Sequence, residues 1–123
     1  MADAIKLNGG CYCGDITITG EVSSDRIIAC HCTDCQKFSG APFRAVAVIA
    51  ADDVKISGNV TEFLKIAEGG NERVQGFCGK CGSHLYATDS AKTLFMFRTG
   101  CLDQHHELVP AKHIFGKSAV KWV

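Results

Sequence analysis

Apolar and polar positions alternate along most of this chain. Asp15-Ile16-Thr17-Ile18-Thr19 puts its isoleucines on one side and its polar groups on the other, the pattern of a half-buried strand, and Gly20 is read as the turn that ends it. Short strands follow at 26–29, 43–49, 54–56, 60–66, 73–77, 84–87 and 93–98, with Gly100 closing the last. Ser57-Gly58-Asn59, between two such runs, predicts a hairpin. The loop 67–71 is polar and glycine-containing, and the tail holds two short apolar pieces, His113-Ile114-Phe115 and Val120 to Val123.

One segment breaks the alternation. Thr33-Asp34-Cys35-Gln36 has the form of a capping box, in which Thr33 caps a helix and Gln36 reaches back to it. Gly40 stands where a helix C-terminus favours glycine. These signals predict one short helix over about 34–39, its positive end facing nearby thiols. Many short strands and a single helix make the class mainly β. With 123 residues, no linker and no repeat, the expectation is a single domain over 1–123.

The cysteines add chemistry to this frame. Seven of the eight fall in three clusters: Cys11-x-Cys13, Cys30-x-Cys32-x-x-Cys35 and Cys78-x-x-Cys81, while Cys101 is alone. Such clustering is typical of soft metal ligation, most often zinc. The C-x-x-C spacing presents two sulfurs to one ion at about 2.3 Å. Glycines 9, 10 and 14 around the C-x-C pair let the backbone turn sharply and bring amides to the sulfurs. Two pairs make four ligands, so Cys11, Cys13, Cys78 and Cys81 are assigned to a closed structural zinc. The triplet Cys30, Cys32 and Cys35 then holds a second zinc with an open position, the plan of a catalytic site. Three thiolates make that ion a poor water activator, so thiol chemistry is favoured over hydrolysis. Other partitions stay open: Cys32/Cys35 with Cys78/Cys81 across an unusually long 42-residue interval, closure of the triplet by His31 or Cys101, or two purely structural sites. His31 is read as pointing away, and Cys101 as a small buried apolar residue.

Composition narrows the partners. Thirteen basic and thirteen acidic residues leave no net charge to attract nucleic acid or an anionic membrane. The longest apolar run, 45–51, is too short to span a bilayer, and the first residues show no secretory signal. The expectation is a cytoplasmic protein with reduced thiols.

The clusters in this order resemble the glutathione-dependent formaldehyde-activating enzyme family. The resemblance rests on Gly9-Gly10-Cys11-Tyr12-Cys13-Gly14, on Cys30 to Cys35 running on to Ser39-Gly40-Ala41-Pro42-Phe43, and on Phe77 to Ser83. It extends through Gly100-Cys101-Leu102-Asp103, Pro110 to Phe115 and Trp122. It implies Mss4-like stacked or folded antiparallel sheets with one short helix, zinc-binding loops and two zinc ions per chain. It also implies a carbon-sulfur lyase or synthase that joins glutathione to formaldehyde as S-hydroxymethylglutathione. The competing class is a non-catalytic zinc-stabilised binding module or thiol carrier. Glutathione is anionic, so cations should line its site; Lys37, Arg44 and Arg98, with Arg73, are the candidates.

Overall fold

Period-two alternation shapes the chain much as expected. The computed structural model describes residues 2–67 and 69–123. Among them are ten strands: β1 (Ala4–Gly10), β2 (Thr17–Ser23), β3 (Ile27–Cys30), β4 (Arg44–Ala50), β5 (Val54–Ser57), β6 (Thr61–Ile66), β7 (Glu72–Phe77), β8 (His84–Asp89), β9 (Leu94–Arg98) and β10 (Lys112–Ile114). One α-helix, α1 (Thr33–Ser39), interrupts them. The class is mainly β, as read from the sequence. A three-stranded sheet runs β1-β2-β5, and a seven-stranded sheet runs β10-β3-β4-β9-β8-β7-β6. All pairings are antiparallel except β10 on β3.

Two local expectations are corrected. Ser57-Gly58-Asn59 is not a hairpin: β5 pairs with β2 and β6 with β7, so the segment carries the chain from one sheet to the other. Gly58 has φ +107° there, and a side chain would run into the Asp15 carbonyl. Gly20 does not end a strand but lies within β2, between Leu7 and Val54. A Cβ at Gly20 would sit 2.7 Å from the Asp53 carbonyl oxygen. Glycine is needed at both places for close backbone approach.

The hydrophobic core lies between the two sheets. Leu7, Ile18 and Val22 come from the small sheet, and Ile27, Ala47, Ile49, Phe95 and Phe97 from the large one. Tyr86 stands edge-on to Phe95 and Phe97, with ring centroids 4.9 and 5.5 Å apart. Alternation then sends the intervening residues to the other face of the large sheet. Those residues include Ile28 and Cys30 on β3, Arg44 and Val46 on β4, and Met96 on β9, and all of them line one cavity. Burial of one face by the core thus leaves the opposite face free to carry a site.

The strand pairing also positions the loops. Gly9 bridges Leu102, bringing the 99–102 turn against the end of β1. A Cβ at Gly9 would collide with the Cys101 carbonyl and lie 2.8 Å from Leu102 Cα. Backbone atoms cannot swing aside, so Gly9→Ala is expected to destabilise the fold by roughly 1–3 kcal/mol. A melting curve unchanged from that of the parent chain would count against this packing.

Candidate metal centres and thiol pocket

The four cysteines of the outer clusters meet where the two sheets join. Cys11 follows β1 and Cys78 follows β7, so each sheet supplies one pair. The Cys11 and Cys13 sulfurs are 3.6 Å apart, and those of Cys13 and Cys78 3.8 Å. All four lie within 4.8 Å of one another. Sulfurs held at about 2.3 Å around a tetrahedral ion stand roughly 3.8 Å apart, so the set fits one metal ion. Tight turns aim them: Gly82 N–H donates to the Cys78 carbonyl at 2.8 Å, and Gly82 has φ +79°. The Ile16 amide donates to Cys11 Sγ at 3.3 Å and the Cys81 amide to Cys78 Sγ at 3.5 Å. Hydrogen bonds from Ser83, with amides beside it, hold Cys81 down at about 5. The Asp15 amide pulls Cys13 down, but burial and the three neighbouring thiols push it up to about 12. Thiolates packed this closely would repel one another, and a cation among them would relieve that repulsion.

The triplet forms a second, separate cluster. Cys30 ends β3, and Cys32 and Cys35 flank the start of α1. Their ligand atoms also lie within 4.8 Å of one another, with Cys30 and Cys32 sulfurs 3.4 Å apart. The helix cap differs from expectation. Cys32, not Thr33, is the N-cap, and its sulfur accepts from the Cys35 amide at 3.3 Å. Gln36 does not reach back; its amide donates to the carbonyls of His31 and Ser118 at 2.9 and 2.8 Å. Gly40 closes the helix with φ +62°, as predicted. A sulfur therefore takes the place of the usual capping oxygen, which ties the triplet to the helix start. Burial pushes Cys30 up to about 12 and raises Cys35, against the pull of Cys30 and Arg44. Burial works against ionisation of Cys32, but the Cys35 amide at the cap and hydrogen bonds from the Cys35 and Cys30 thiols together lower it.

Neither candidate fourth ligand joins the triplet. His31 is buried, with Nε2 2.8 Å from His113 Nδ1 and its ring against Phe43. Cys101 points at the Arg98 carbonyl, 3.1 Å away, and burial pushes its thiol up to about 12. The ribbon-like pairing of Cys32/Cys35 with Cys78/Cys81 is not formed, because these pairs belong to different clusters.

A cavity of about 560 Å³ opens onto the triplet. Its cations are Arg44, Lys65 and Arg73, and its apolar wall includes Met96, Ile114 and Phe115. Lys65 pairs with Asp34 at the rim. Arg73 faces Asp89 across β7 and β8, but both Asp89 oxygens are taken by Thr93. Of the cations expected near a bound anion, Arg44 and Arg73 line this cavity. Lys37 is exposed on α1 and does not line this cavity. Arg98 opens instead into a neighbouring hollow of about 410 Å³ with Phe38, His84 and Cys101. Gln75 and Lys65, which carry no local sequence signal, come to the cavity through the β7-β8 and β6-β7 pairings.

Comparison with known proteins agrees with this geometry. The model of the glutathione-dependent formaldehyde-activating enzyme family matches residues 6–118. A Colletotrichum graminicola protein with the provisional description of such an enzyme is 31% identical over 88 residues, covering 66% of this chain and 44% of its own. A Sordaria macrospora protein of the same description is 32% identical over 72 residues, covering 58% and 29%. The chain thus spans less than half the length of these curated relatives. A Rhodobacter sphaeroides crystal structure shares the fold, with TM-score 0.64 at 18% identity over 86% of this chain and 98% of that one. No helix among the described residues is long and apolar enough to cross a membrane. With the family model matching nearly end to end, over both cysteine clusters, the chain belongs to the glutathione-dependent formaldehyde-activating enzyme family.

Proposed function

We propose that this chain is a single-domain zinc enzyme of carbon–sulfur chemistry, joining glutathione to formaldehyde as S-hydroxymethylglutathione. The observation that carries the reading is the three-sulfur cluster opening onto a cavity that also holds cations. Cys11, Cys13, Cys78 and Cys81 are proposed to hold a structural zinc, and Cys30, Cys32 and Cys35 a second zinc. Four sulfurs complete a tetrahedral shell and three leave it short by one, which supports different roles for the two. When bound to the triplet, zinc supplies one chemical service, keeping an added thiol deprotonated and nucleophilic at neutral pH.

The chain's own residues do the rest. Arg73, with no acid within ion-pairing distance among the described residues, is placed to take a glutathione carboxylate. Lys65 at the rim is the second cation, and it would have to leave Asp34 to meet the other carboxylate. Met96, Ile114 and Phe115 give the cavity an apolar wall beside the sulfurs. In the reaction the glutathione sulfur forms a bond to the formaldehyde carbon. The carbonyl π pair moves to oxygen, and the proton lost by the thiol ends there.

Exchange NMR of a formaldehyde and glutathione mixture tests this reading, because the uncatalysed addition is fast enough to serve as a baseline. The protein is expected to raise the exchange rate above that baseline in proportion to its concentration. Arg73→Ala should raise the glutathione concentration for half-maximal rate by roughly tenfold, with the saturated rate nearly unchanged. Exchange at the spontaneous rate would reject the reaction, and tight thiol binding without acceleration would leave a carrier.

A further inference from the structure

We propose that Arg44, held by Gln75, is the fixed counter-charge of the three-cysteine site, and that its charge admits an anionic thiol there. The inference rests on the preceding reading of the triplet as a metal and thiol site, and assigns Arg44 a role other than clasping a carboxylate.

The guanidinium is buried, with Arg44 only 7% exposed and Gln75 3%. A charge so placed is costly unless it is paired. No carboxylate among the described residues lies within ion-pairing distance of it. Its partners are Cys35 Sγ, 3.2 Å from Nη2, and Gln75 Oε1, 2.8 Å from Nη1. The carbon of the guanidinium also lies 5.7 Å from the Phe38 ring centroid. Gln75 and Phe38 are neutral, so of these partners only the sulfur can carry the balancing charge, and it does so when the triplet holds its metal. The fold builds this contact deliberately: β3 and β4 pair so that Arg44 stands directly opposite Cys30.

Charge counting shows the consequence. A divalent ion with three thiolates carries one net negative charge, and a fourth thiolate would make two. With Arg44 against Cys35 the site is neutral before the thiol arrives and singly negative after. The local environment is partly water-excluded, so one positive charge a few ångströms away weighs heavily in that equilibrium. Arginine suits the place better than lysine, because two of its nitrogens serve sulfur and amide at once.

Cobalt(II) substituted into the full chain tests this, since its visible spectrum changes when the triplet site gains a further ligand. Two probes without carboxylates separate charge from shape: 2-mercaptoethanol, which binds as an anion, and imidazole, which binds neutral. Arg44→Gln is expected to weaken 2-mercaptoethanol by at least about tenfold while imidazole stays within about twofold. Arg44→Lys should retain most of the thiol affinity. Gln75→Glu, nearly isosteric, places a carboxylate against Arg44 and should mimic Arg44→Gln; it carries the test if Arg44→Gln does not fold. Unchanged thiol binding in these variants overturns the proposal, and so does an equal loss for both probes, which would mark a merely structural role. A parent chain that takes no metal at the triplet overturns the site reading and this inference together. Normal metal and thiol binding with indifferent variants overturns the inference alone.

Discussion

Cys81→Ser is expected to unfold the chain at ordinary temperature. The four-cysteine cluster ties the β1–β2 loop to the β7–β8 loop, and so joins the two sheets whose inner faces make the core. Structural zinc of this kind contributes on the order of 10–16 kcal/mol to folding, comparable to or larger than the roughly 5–15 kcal/mol net stability of a small protein. A hydroxyl is a poor substitute for a thiolate on a soft ion, so most of that contribution goes with the sulfur. Buried Cys78 should behave the same way. Circular dichroism of the purified variant would read the loss directly; a cooperative melt near that of the parent chain would show that the cluster does not hold the sheets together.

Cys35→Ser is expected to do the opposite, leaving the fold and removing the activity. The triplet lies on the outer face of the large sheet and at the tip of α1, away from the core between the sheets. Losing one of its three sulfurs should abolish metal retention there and return formaldehyde exchange to the spontaneous rate. The variant also removes the sulfur that Arg44 touches, leaving that buried cation short of a partner. A drop of about 1–3 kcal/mol in stability follows from that alone, well short of unfolding. Cys32→Ser should be gentler still on the helix, since serine is itself a strong N-cap. Full activity in Cys35→Ser would remove the triplet from the reaction, and unfolding as complete as that of Cys81→Ser would make both sites structural.

The division of cysteines was legible in the chain because thiol spacing is short-range. A C-x-x-C pair is aimed by its own turn, and the Gly82 and Gly14 conformations, φ +79° and +85°, need only local sequence to be anticipated. Strand alternation likewise revealed most of the sheet. What the sequence could not reveal is which strand lies beside which. The segment 57–59 has the chemistry of a hairpin, yet β5 is drawn to β2 because its partly buried Val54 and Ile56 pack against the core there. Gly20 looked like a stop, but the approach of Asp53 makes glycine a requirement of continuing. The same long-range pairing hid the working parts of the pocket. Arg44 and Gln75 stand 31 positions apart and meet only through the seven-stranded sheet. Cys32 as a cap was masked by Thr33, a residue of better capping propensity one position on.

Both expected mutational outcomes rest on two metal sites of unequal strength, and metal counting under graded chelation examines that claim most directly. The full chain is exposed to increasing chelator while bound zinc and far-ultraviolet dichroism are followed together. Two zinc ions per chain are predicted, the first leaving under mild chelation with the dichroism unchanged and the second only as the strands are lost. A single zinc per chain, or two that leave together with the fold, would contradict the account.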